Sequence, residues 1–97
     1  MTIIICFAQK TLANTGLDET LAKSTFYYYI NCMNNGSCSQ YKAYNNKALA
    51  YYGSLKNQNQ RAKSLYCQLK YMHLNYQAEY GVGDPVAGIY QFQKECD

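Results

Sequence analysis

At 97 residues, 48% of them hydrophobic and with a formal charge of +3, the chain is long enough to enclose one modest core and too short for two. No stretch approaches the roughly 18 consecutive apolar residues of a membrane-spanning helix. The five cysteines and the lone His73 show neither C-x-x-C nor cysteine/histidine zinc spacing, so no metal site and no cofactor motif is expected. Tyrosine dominates the composition instead: twelve residues, with no tryptophan. That excess points to a surface that meets another molecule, because a tyrosine ring carries a large contact area and a hydroxyl that needs a polar partner.

Residues 1–13 form an apolar N-terminal segment. Ile3-Ile4-Ile5-Cys6-Phe7-Ala8 is the most apolar run in the chain, and Thr11-Leu12-Ala13 fits a small-x-small cleavage site. Read as the remnant of a secretory leader, this segment would carry Cys6 away and leave an even set of four cysteines in residues 14–97, a single helical domain. Met1-Thr2 supplies no basic start for a leader, so the alternative is an N-terminal strand or helix end with a free thiol. The leader reading places the chain in a bacterial periplasm or outside the cell, where disulfides persist; the alternative leaves it in the cytoplasm.

A first helix is predicted from about Leu17 to Met33, with Asp18 and Glu19 in its first turn and Leu17, Leu21, Thr25, Tyr28 and Cys32 on one face. Asn34-Asn35-Gly36-Ser37 reads as a turn bracketed by Cys32 and Cys38. Ser39 is an N-cap candidate for the next segment, in which Tyr41, Ala48, Leu55, Ala62, Leu69 and Tyr76 recur every seven residues. This stripe admits one long helix or a hairpin turning between Gly53 and Gln60. The hairpin is expected, because it buries more surface in so small a domain. The stripe also offers a seam for homo-oligomerisation.

The second arm, Gln60 to Tyr80, bears a further apolar stripe at Cys67, Tyr71, Leu74 and Ala78, which marks it as the central helix. Gly81-Val82-Gly83 ends it. Asp84-Pro85 then supplies a cap and a first-turn proline for a last helix to about Lys94. Docking of that helix would bring Cys96 to Cys67, leaving Cys32 to pair with Cys38. The fold expected is an all-α bundle of about four helices stapled by these two disulfides.

Between Ser39 and Ala78 the chain carries Lys42, Lys47, Lys56, Arg61, Lys63 and Lys70 and no acid. A basic segment interleaved with tyrosines would attract an acidic partner. Nucleic acid is the less favoured partner, because the chain has one arginine and no reading motif. No nucleophile–base pair or carboxylate pair is evident, so an enzyme is not expected. The function expected is a non-enzymatic protein-binding module that occludes its partner, as an immunity protein or a small enzyme inhibitor does. A nucleic-acid-binding phage or plasmid factor and a structural subunit of an envelope assembly are the alternatives. Partner contacts are assigned to Tyr27, Tyr29, Tyr52, Lys56, Arg61, Lys63, Tyr66, Lys70 and Tyr80, the tyrosines off the main stripe together with their basic neighbours.

Overall fold

The computed structural model describes residues 16–96, which form four helices and, among the described residues, no strand. They are α1 (Thr20–Asn35), α2 (Ser39–Leu55), α3 (Gln60–Tyr80) and α4 (Pro85–Cys96). The possible leader and Cys6 lie outside the described residues.

Local chemistry accounts for most of the ends. α1 begins three residues later than its acids suggest. Asp18 turns its carboxylate onto the Thr20 N–H at 2.9 Å, and the Glu19 carbonyl accepts from Lys23 N–H as the cap, so both acids precede the first turn. They still face the positive end of the helix dipole. Gly36, at φ 78°, closes α1 through its N–H to the Cys32 carbonyl. Only a residue at ease in the left-handed region fits there. Ser39 is the first residue of α2 rather than its cap, and Cys38 holds the cap position without a side-chain bond. Asn59 caps α3 by accepting from Ala62 N–H at 3.0 Å, and Asp84 does the same for α4 from Ala87 N–H at 3.2 Å. Gly53 does not turn the chain: it lies within α2, where a Cβ would come 3.1 Å from the Tyr66 ring. The turn falls between Leu55 and Gln60.

Helix α3 is central, touching α1, α2 and α4, whereas α4 packs on α3 alone. The larger core cluster joins Ala22, Ala48, Tyr52, Ala62, Leu65, Tyr66 and Leu69. Alanine at three of these places lets the helix axes approach, and the two tyrosines supply the volume that leucine would provide elsewhere. A second cluster around Cys32, Tyr41 and Tyr76 closes the other end. The seven-residue stripe is the seam of this core, since Tyr41, Ala48, Ala62, Leu69 and Tyr76 are all buried. Its buried members pack within one chain.

Tyr52 stands in for a missing cap. Its ring is fully buried, and its hydroxyl accepts from Ala22 N–H at 3.1 Å while donating to the Asp18 carbonyl at 2.7 Å. One side chain from α2 thereby satisfies two backbone groups at the start of α1, where the N-cap residue Glu19 makes no side-chain cap bond.

The disulfides are Cys32–Cys38 and Cys67–Cys96. The first clamps the α1–α2 turn, and the second ties the last residue of α4 to the middle of α3. Two such bonds fit an oxidising, non-cytoplasmic compartment. Among the described residues no helix is long and apolar enough to cross a membrane.

Candidate partner-binding face

The residues assigned to partner contact from the sequence separate into three groups. Tyr52 and Tyr66 are buried, and this corrects their assignment to partner contact. Tyr52 caps α1. Tyr66 donates to Glu95 at 2.7 Å, and its ring lies beneath the ammonium groups of Lys56, at 4.5 Å, and Lys70, at 5.8 Å. They are off the main stripe in phase, yet each meets a neighbouring helix that the single-helix projection does not show.

The second group is basic but already engaged. Lys56 pairs with Glu95 at 2.9 Å, and Arg61 grips Glu19 with two N–H groups at 2.8 and 3.1 Å. The acids of the flanking segments fold back onto the basic stretch and neutralise part of it. Tyr66 and Lys56 hold the Glu95 carboxyl down at about pKa 2, while burial and Glu95 push the Tyr66 phenol up to about 12. Tyr80 donates its hydroxyl to the Cys32 carbonyl at 2.7 Å and leans on Tyr76, so its exposed ring is fixed to the bundle end. Tyr29 is half-buried, edge-on to Tyr41.

Tyr27 and Lys63 remain open to solvent. Tyr27, at 61% exposure, begins a row of side chains across the outer surface of α1 and α2. Tyr27 meets Tyr28 edge-on at 5.2 Å, Tyr28 stacks on Tyr44 at 5.0 Å with 21° between planes, and Lys47 lies over the Tyr44 ring at 5.7 Å. Beside this row is a cleft of about 390 Å³ lined by Tyr27, Tyr28, Asn31, Asn35, Ser37 and Gln40. The Cys32–Cys38 bond closes the turn that forms its end, and the Asn35 side chain accepts from Ser37 N–H at 2.9 Å. Aromatic rings, amides and hydroxyls are thus held on a rigid frame, with the ammonium groups of Lys42 and Lys47 exposed on α2.

Helical phase alone puts Tyr28 on the apolar face of α1 and Tyr44, three positions after Tyr41, on the apolar face of α2. Both are half-buried and stack on one another within the row, and Tyr28 also packs against the Cys32–Tyr41–Tyr76 cluster. The signal for this site is the Asn34–Ser37 turn between two cysteines, beginning five positions after a run of tyrosines.

His73 sits half-buried between α2 and α3, its Nδ1 2.9 Å from the Tyr41 hydroxyl and 3.3 Å from Asn45 Nδ2. In the neutral tautomer protonated at Nε2, the single Nδ1 lone pair accepts from the Tyr41 hydroxyl, with Asn45 Nδ2 sharing it at the longer distance. Burial, aided by Lys70, lowers the His73 pKa. The buried Asn45 Oδ1 has no protein partner. Among the described residues no group of three or more His, Cys, Asp or Glu side chains is placed to hold a metal ion. The chain matches no known family model, no curated protein and no solved structure.

Proposed function

We propose that the chain is a non-enzymatic protein-binding module of a periplasmic or extracellular space, which occludes an acidic-surfaced partner in the manner of an immunity protein or small enzyme inhibitor. The observation that carries this reading is the Tyr27–Tyr28–Tyr44–Lys47 row beside a disulfide-clamped cleft of asparagine, serine and glutamine. Tyrosine offers large, rigid, amphipathic contact at low entropic cost, and amides and hydroxyls adapt their hydrogen bonds to what they meet. The short Cys32–Cys38 ring keeps the turn in place before the partner arrives, which reduces the ordering penalty of binding. Exposed Lys42 and Lys47 steer an acidic surface toward the row and make association salt-dependent.

The test is capture of proteins from the native secreted fraction on immobilised chain, compared with a Tyr27→Ser/Tyr44→Ser/Lys47→Glu variant at two salt concentrations. A partner retained by the native chain, lost by the variant and weakened by salt supports the reading. Retention unaffected by the variant overturns the assigned face. Retention of single-stranded DNA or RNA in place of protein, again lost in the variant, replaces the protein-binding reading with the nucleic-acid one.

A further inference from the structure

Helix α4 contains no buried residue, although five of its twelve positions are valine, isoleucine, tyrosine, phenylalanine or cysteine. One face explains itself. Gly88 lies against Leu74, Phe92 faces Tyr71 at 6.0 Å, Glu95 bonds Lys56 and Tyr66, and Cys96 is bonded to Cys67, all toward the bundle. The opposite face is also apolar. Val86, Ile89 and Tyr90 fall at i, i+3 and i+4 and are exposed by 76%, 48% and 68%. Tyr71 of α3, exposed by 57%, stands at the edge of the same helix pair, where an apolar groove of about 470 Å³ is lined by Cys67, Tyr71, Met72 and Phe92.

We infer that this α4 face pairs with the α4 face of a second copy of the chain about a two-fold axis near Ile89. Size is the first argument. The exposed parts of Val86, Ile89, Tyr90 and Tyr71 amount to roughly 500 Å² per copy, so a symmetric pair buries on the order of 1,000 Å² before any polar rim is counted, the size at which a specific interface becomes viable. Charge is the second. A two-fold axis through the stripe runs the two helices antiparallel, and residues equidistant from Ile89 then face one another. Asp84, whose carboxylate caps the start of α4 at Ala87 N–H, and Lys94, whose ammonium lies over the Tyr90 ring at 5.8 Å, flank the stripe at its two ends rather than on its face, so an antiparallel pair brings the acid-bearing end of each helix beside the base-bearing end of the other. No charged residue lies between them. Elsewhere a chain of net charge +3 repels its copy; along this stripe it does not. The Tyr27–Tyr44 row is on α1 and α2, away from α4, so the pairing leaves it free and presents it twice.

Sedimentation equilibrium of the full oxidised chain tests the inference, with Val86→Asp/Ile89→Asp as the disrupting variant and Tyr27→Ser as a control. A dimer in the micromolar range that becomes a monomer in Val86→Asp/Ile89→Asp, with unchanged helical circular dichroism and melting, and that persists in Tyr27→Ser, is the expected result. Both substituted side chains are exposed, and the unchanged circular dichroism separates loss of pairing from loss of fold; a second variant, Lys94→Asp, sets acid against acid and should weaken the dimer at least fivefold at low salt. A native chain that is monomeric at several hundred micromolar overturns the inference and gives the face to residues 1–15 or to a different protein. A dimer that survives Val86→Asp/Ile89→Asp overturns it as well.

Discussion

Replacing Cys67 and Cys96 by serine should detach α4 without unfolding the rest. The bond closes a loop with a sequence separation of 29, for which the chain-entropy relation gives about 3.6 kcal/mol at 25 °C. In a two-state domain that amount would appear as a global loss of stability. Here the architecture localises it. α4 packs on α3 alone and has no buried residue, while the cores around Leu69 and Tyr41 draw on α1, α2 and α3. An isolated helix of twelve residues is marginal in water, so once the crosslink is gone α4 opens on its own. The same 3.6 kcal/mol then becomes a rise of about 400-fold in the opening equilibrium of α4. Native-state hydrogen exchange resolved by residue is the assay. Amides of residues 89–95 should lose protection by two to three orders of magnitude in Cys67→Ser/Cys96→Ser, while those of Tyr52, Leu65 and Leu69 change less than threefold. Parallel loss of protection in α4 and in the core would refute the reasoning, because α4 would then be part of the cooperative unit. Unchanged protection in α4 would refute it from the other side, because noncovalent contacts would then suffice to hold the helix.

Tyr52→Phe removes one hydroxyl and leaves the buried Ala22 N–H and the Asp18 carbonyl without their partner; urea unfolding should show a loss of about 1–3 kcal/mol, and a change below about 0.3 kcal/mol would remove the capping role. His73 has a folded-state pKa below its unfolded value, so the unfolded chain binds the proton more readily and stability should fall as pH drops through and below about 6.5. The slope over that range should vanish in His73→Gln; a slope that persists means other groups carry it. Glu95 is held near pKa 2 by Tyr66 and Lys56, so its contribution is present above the ordinary carboxylate range and is lost as pH falls from about 4.5 toward 2. With the pair one-fifth exposed and screened by solvent, Glu95→Gln should remove about 1–2 kcal/mol at pH 7 and little at pH 2; equal losses at both values would mean that packing, and not charge, is what the side chain supplies.

The helices and their connections were legible because the relevant signals are local. A seven-residue apolar period, Asp84-Pro85 and two glycine stops are properties of short windows, and the pairing of Cys67 with Cys96 follows once α4 is laid against the second stripe of α3. The start of α1 was less legible: Asp18 and Glu19 suit a first turn equally well in sequence, and the decision rests on Tyr52, thirty residues away from Ala22. The partner-facing side chains were the least legible. Phase on one helix shows which side chains leave the main stripe, and not whether another helix receives them. Tyr66 is covered by Lys56 and bonded to Glu95, and Arg61 is occupied by Glu19, through contacts between residues 10 to 42 positions apart that no periodicity encodes. Tyr28 and Tyr44 differ in the opposite sense: helical phase points both inward, yet both are half-buried and stack in the surface row.

The order of packing, α1 on α2, α2 on α3 and α3 on α4, has a consequence for how the chain folds. Each helix finds its main neighbour next to it in sequence, so the bundle can assemble progressively as the chain emerges, with little loop-closure entropy at any step. The cysteines obey the same rule. Cys32 and Cys38 meet within the first hairpin, and Cys67 and Cys96 within the last, so each thiol is delivered to its own partner before it can reach a thiol of the other pair. Oxidative refolding should therefore yield the native pairing without an isomerase.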